Sequence, residues 1–309
     1  MRDDYLIPGA RMVAGLEELY QGHFAAALVH LERIIADYNS ALDTLAFDMR
    51  LGSSVGVSAL GVAGWTLSYL GHLDRALERA REGVTLAHSR AEAFSRGFAR
   101  FMETLVHRTR RDAEAQLESA ADVITIGDTQ GFPIWRGVGR VYHGLARVKL
   151  GEGATALAEI AEGLALAAAS GNRGGTPGML WSLADGQYTT GKYVEALATI
   201  EGALTLAAST GQHFFDSSLY HLKGELLLAT SGGGAQESEA LFRRAIEIAR
   251  AQGAKIFELR AANSLARVLR DQGQPGEARA LLLPVYSWFT EGFETPDLIE
   301  AKDLLAAFG

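Results

Sequence analysis

The stretch Gly52-Ser53-Ser54-Val55-Gly56 has the G-x-S-x-G spacing of a hydrolase nucleophile elbow. That motif works only on a tight strand-to-helix turn, with histidine and acid partners brought in by later loops. Residues 45–51 ahead of it have mixed helical spacing, not that of a buried strand, so the motif predicts a Gly/Ser-rich loop or helix start. Gly151-Glu152-Gly153-Ala154 has a dinucleotide-like look but lies between two helical patterns, which removes the phosphate cradle. The run from Ser231 to Ala235 lacks the Lys and Ser/Thr of a P-loop and reads as a flexible insertion. The 8 histidines include no i,i+4 pair and no HExxH, and the 0 cysteines exclude thiol catalysis, disulfides and thiolate metal sites. The expectation is a protein that is not an enzyme and uses no cofactor or metal.

The arginines form the more informative pattern. Arg260, Asn263, Arg267 and Arg270 fall at i, i+3, i+7 and i+10, one stripe of a helix. Arg96, Arg100 and His107 make a second stripe, and Arg136, Arg140, His143 and Arg147 a third. Arginine with aromatic neighbours suits bidentate capture of carboxylates from an acidic or C-terminal segment. The competing reading is solvated helix faces with internal ion pairs, such as Glu258 with Arg260 and Glu103 with Arg100.

These stripes sit on a repeating unit. An apolar helical stretch, a glycine turn and an Ala-Leu pair opening a second helix recur. The plainest copy is Leu183 to Tyr188, Gly191, then Ala196-Leu197, Ile200 and Ala203; Gly64 to Leu77 and Gly144 to Leu157 keep the same order. The turn glycines Gly22, Gly71, Gly151, Gly191 and Gly273 are 49, 80, 40 and 82 residues apart. Two of those gaps are double periods with degenerate turns, near Arg110 and near the Ser231 insertion. Glycine ends a helix in the left-handed region at no steric cost, and Gly64, Gly144 and Ala184 let paired helices approach closely. A lone pair cannot bury both faces, so neighbours stack.

The predicted fold is therefore all-α: a tetratricopeptide-like right-handed superhelix of about seven hairpins. Residues 1–309 form a single solenoid and 286–309 its C-terminal cap. The cap helix starts at Thr295-Pro296-Asp297, with proline in the first turn. Phe24, Leu73, Tyr193 and Phe242 are predicted core. The stripes fall on first helices, which line the concave surface of such superhelices. Aligning the repeats adds Trp65, Trp181, Asp185, Tyr188 and His221 to that surface.

Composition narrows the partner. With Lys+Arg 29 against Asp+Glu 37, the formal charge is −8, which argues against general nucleic-acid binding. Residues 51–71 carry no charge but do carry five Ser/Thr and several Gly, which favours a buried helix over a membrane span. No apolar leader follows Met1, so the expected address is the cytoplasm.

The run Leu222-Lys223-Gly224-Glu225-Leu226-Leu227-Leu228, the segments Ala240 to Arg250 and Glu258 to Gly273, and the ending Pro284 to Lys302 carry a family likeness. They resemble the C-terminal tetratricopeptide region of large bacterial signalling proteins. There the repeats follow a STAND-type ATPase, often with an adenylate/guanylate cyclase or DNA-binding domain ahead. The resemblance implies a non-enzymatic, regulatory protein-interaction module. Its partner would be a protein or peptide, or the ATPase or cyclase domains of a longer chain. The alternative is a small-ligand sensor with an aromatic pocket between Tyr142, Trp181 and Tyr188, relaying to an ATPase, cyclase or transcriptional output.

Overall fold

The computed structural model describes residues 6–38, 53–90, 92–230 and 235–308. Gly52 of the G-x-S-x-G motif, residues 45–51 and the Ser231 to Gly234 insertion lie outside them. Fifteen helices and no strand occur among the described residues. The first eight are α1 (Leu6–Gln21), α2 (Phe24–Asp37), α3 (Val55–Leu70), α4 (Leu73–His88), α5 (Ala93–Arg110), α6 (Ala113–Gln130), α7 (Pro133–Lys149) and α8 (Ala154–Ala169). Then come α9 (Thr176–Thr189), α10 (Tyr193–Thr210), α11 (Asp216–Thr230), α12 (Ala235–Gln252), α13 (Lys255–Asp271), α14 (Pro275–Tyr286) and α15 (Pro296–Ala307). Paired in order they give seven hairpins, α1/α2 to α13/α14, followed by α15 with Thr295 at its N-cap and Pro296 in its first turn.

Five of the hairpin turns close on a glycine in the left-handed region. Gly22, Gly71, Gly151, Gly191 and Gly273 all have positive φ, between 76° and 96°. At Gly151 and Gly191 two backbone bonds tie off the first helix: Gly151 N–H donates to Val148 and Glu152 N–H to Arg147, and Gly191 and Lys192 repeat the pair. The degenerate turn near Arg110 is resolved as Arg111. It is the one non-glycine residue with positive φ among those described, at 58°, and it makes the same two bonds. A second series, Gly131, Gly171, Gly211 and Gly253, turns the chain between hairpins.

The helices form two compact units, one of residues 1–68 and 73–174, the other of 69–72 and 175–309. In the first unit the uncharged stretch is α3, buried at every residue from Ser53 to Ser68. A Cβ on Gly64 would stand 2.8 Å from the Ala76 carbonyl, and one on Gly144 at 2.8 Å from the Ala156 carbonyl. Helix backbones touch at both places. Among the described residues no helix is long and apolar enough to cross a membrane.

In the second unit Ala184, Ala196, Ile200, Ala203, Leu219, Leu222 and Leu226 form the core, with Tyr188 and Tyr193 packed against it. Tyr69 is fully buried among Phe214, Phe215 and Phe257. Phe24, Leu73 and Phe242 are also fully buried, as their repeat positions require.

Candidate functional site

Most of the predicted arginines are already bonded within the chain. Arg100 is held by Glu103 at 2.6 Å and by Asp122. Arg140 donates to Glu162 at 3.1 Å. Arg111 and Gly151 mark a 40-residue offset, which makes Arg100–Asp122 and Arg140–Glu162 the same strut in successive hairpins. Arg270 bonds its neighbour Asp271. Arg260 and Asn263 are buried under α15 and are not presented to a partner. The Arg260 Nε and Nη2 groups both donate to Asp297 Oδ2, at 2.9 and 2.8 Å, and Asn263 Nδ2 donates to the Asp297 carbonyl at 3.0 Å. The expected Arg260–Glu258 pair is absent, because residues two apart leave a helix on different faces. Glu258 instead bonds Arg250 and Lys255.

His107 is buried at the end of α5, its nitrogens 3.9 Å from Glu103 and 3.8 Å from Asp112. Burial pushes the Glu103 carboxyl up, but His107 and Arg100 pull it further down, to a net position below the usual carboxylate range. Trp65 is also buried, edge-on to Tyr20 at 6.5 Å. Burial, and next the neighbouring Tyr142, push the Tyr20 phenol up to about 12. Tyr142 in turn packs on Phe101 and lies under the Arg108 guanidinium. The first helices of this unit thus fill the space between them with their own aromatic rings.

The remaining predicted residues come together in the second unit. Gly171, Gly211 and Gly253 set offsets of 40 and 42 residues. At those offsets Asp185, Glu225 and Arg267 occupy one repeat position on α9, α11 and α13, and Trp181, His221 and Asn263 another. Arg267 donates to Glu225 at 2.7 Å, to Ser264 Oγ at 3.0 Å and to Glu300 on α15. Ser264 Oγ donates to Glu225 at 2.5 Å and lies 2.8 Å from His221 Nε2. Burial pushes the Glu225 carboxyl up, but His221, Arg267 and the Ser264 hydroxyl outweigh it and hold it at about 2. Tyr188 is half-buried beside the same charges; burial, then Glu225, push its phenol up. Trp181, also half-buried, donates Nε1–H to the Ser218 carbonyl at 3.2 Å.

Ser264, His221 and Glu225 bring a hydroxyl, an imidazole and a carboxylate within hydrogen-bond reach of one another, tied together by Arg267. Ser54, the other candidate nucleophile, is fully buried at the start of α3, where its backbone N–H donates to Ser95 Oγ. The sequence reading missed Glu225, Ser264 and Glu300. The 40- and 42-residue register would have found Glu225; Glu300 lies outside the repeats and has no such signal.

Residues 259–286, which span most of the α13/α14 hairpin, match the tetratricopeptide repeat family. No curated protein matches the sequence. Among solved structures, NprR in complex with its cognate peptide NprX is similar, with a TM-score of 0.60 and 12% identity over 97% of this chain and 82% of that one. A tetratricopeptide repeat protein from Parabacteroides merdae has a TM-score of 0.50 at 12% identity, covering 98% of this chain and 99% of that one. Aspartyl phosphate phosphatase F from Bacillus subtilis has a TM-score of 0.55 at 13% identity, covering 93% and 70%. The fold is tetratricopeptide-like. Since a peptide complex and a phosphatase share it, function has to be argued from the site.

Proposed function

We propose that the chain is a non-enzymatic interaction module, regulatory within a bacterial signalling system, that binds a protein or peptide segment on the first-helix face of its second unit. One observation carries this reading: α9, α11 and α13 align charged and aromatic residues at equivalent repeat positions, with Tyr188, His221 and Arg267 partly open to solvent. A ladder of side chains at a fixed repeat spacing suits an extended segment, which offers a group to each rung in turn. The peptide complex of NprR, built on the same fold, fits this reading.

The test is in-cell photo-crosslinking with a photoreactive residue in place of Tyr188, and in place of Val194 on the outer helix α10, which is 79% exposed. The expected result is one discrete adduct from position 188 and none from 194. Equal labelling from both, or from neither, sinks the reading.

A further inference from the structure

The last element of a helical solenoid needs a polar outer face, because no further repeat covers it. The capping segment here departs from that rule. Of the nine large apolar side chains that are exposed among the described residues, four lie between 283 and 299: Leu283, Trp288, Phe293 and Ile299. On α15 itself Asp297, Leu298, Ala301 and Leu304 are buried, whereas Ile299, Lys302, Asp303 and Ala306 are exposed. Ile299 keeps 45% of its surface open to solvent.

The four exposed residues fall at i, i+3, i+4 and i+7, one stripe of the helix. With about 3.6 residues per turn, Ile299 and Ala306 form its midline, and Lys302 and Asp303 stand about 50° to either side. Among the described residues neither Lys302 nor Asp303 has an ion-pair partner. The stripe is thus an apolar seam with one cation on its left flank and one anion on its right, or the reverse. Two such stripes laid side by side in parallel bring each flank against the opposite flank, so Lys302 meets Asp303 on both sides. Laid antiparallel, each flank meets its own kind, lysine on lysine and aspartate on aspartate, and the two repel. The charges therefore select the parallel arrangement, in which Ile299 packs on Ile299 and Ala306 on Ala306 about a two-fold axis. That is the isologous contact most homodimers use. A seam with mixed signs fits a second copy of itself better than a partner of single charge sign.

We propose that α15 is a homodimerisation element: a second copy of this chain covers the Ile299–Ala306 stripe, with two symmetric Lys302–Asp303 pairs across the two-fold axis. The contact uses the outer face of α15, not the first-helix face around Tyr188, so it stands or falls apart from the interaction reading above.

The experiment is sedimentation velocity on the full chain over a concentration series, with Lys302→Asp, Asp303→Lys and an equimolar mixture of the two. Wild type should approach twice the 33.1 kDa chain mass as concentration rises. Each single variant sets like charges against one another and should weaken the dimer about tenfold. The mixture should restore it, because one chain then brings two acids and the other two bases. Both positions are exposed, so neither change disturbs the core. Cysteine reads the register, since the natural chain has 0 cysteines. Ile299→Cys should oxidise to a disulfide-linked dimer, and Ser209→Cys, exposed on α10, should not. A wild type that stays monomeric at every concentration overturns the proposal. So does a dimer that both single variants leave unchanged, or a mixture no tighter than its parts. No disulfide at 299, or an equal yield at 209, overturns it as well.

Discussion

Arg260→Met removes a guanidinium whose Nε and Nη2 both reach Asp297 Oδ2, with side-chain exposures of 8% and 1% for the two partners. Methionine keeps most of the side-chain volume, so the loss is electrostatic rather than a cavity. Removing the cation from a buried ion pair in this way costs about 3–5 kcal/mol. Asp297 sits in the first turn of α15, where the helix dipole returns up to ~1 kcal/mol. The low end, about 3 kcal/mol, is therefore expected, and it falls on the docking of α15 onto α13. Amide hydrogen exchange by mass spectrometry reads this directly: α15 should exchange on the order of 100-fold faster, since each 1.4 kcal/mol is about tenfold. Arg260→Met/Asp297→Leu, which removes both charges, should bring exchange back to within about tenfold of wild type. Protection of α15 within about threefold of wild type in Arg260→Met alone would refute the claim that this pair holds the cap.

Three further outcomes follow from the same geometry. The Glu225 carboxyl titrates at about 2 when folded against an ordinary 4.5. Its stabilisation is thus full above 4.5 and lost as pH falls toward 2, about 3 kcal/mol in all; Glu225→Gln should flatten that acid limb in urea titrations. A Cβ at Gly137 would lie 2.5 Å from the Ala167 backbone nitrogen, whereas one at Gly202 meets nothing within 4 Å. Gly137→Ala should therefore cost about 1–3 kcal/mol, and Gly202→Ala, inside α10, should gain about 0.5–1 kcal/mol, both read from thermal melts. Arg111 holds a turn at φ 58° that Gly151 and Gly191 fill in the next two hairpins. Arg111→Gly should raise stability by about 0.5–1 kcal/mol, and a destabilised variant would show that the Arg111 side chain matters more than its backbone.

The fold was legible because three local signals agree: turn glycines, Ala-Leu openings and one-sided apolar stripes all point to seven hairpins and a cap. Even the missing third turn is explained locally, by Arg111 at the glycine position. The site was less legible, for a physical reason. A helical stripe such as Arg260, Asn263, Arg267 and Arg270 fixes which face residues share, but not what packs on that face. Four residues on one stripe meet three fates: Arg260 and Asn263 lie under α15, Arg267 bridges two carboxylates, and Arg270 pairs at the surface. Asp122, Glu162 and Asp297 lie 22, 22 and 37 residues from the arginines they neutralise, beyond the reach of any helical periodicity. Sign of charge on a surface is a tertiary property, and the sequence stripe cannot supply it.

The central claim is that the first-helix face around Tyr188 is where a partner segment sits. We would place 3-fluorotyrosine at position 188, and separately at Tyr286 on α14, and follow the fluorine resonances by NMR while the partner captured by crosslinking is added. The account predicts a saturable shift at 188, with the 286 resonance unmoved. A saturating complex that leaves 188 in place, or that shifts 286 as much, would contradict it.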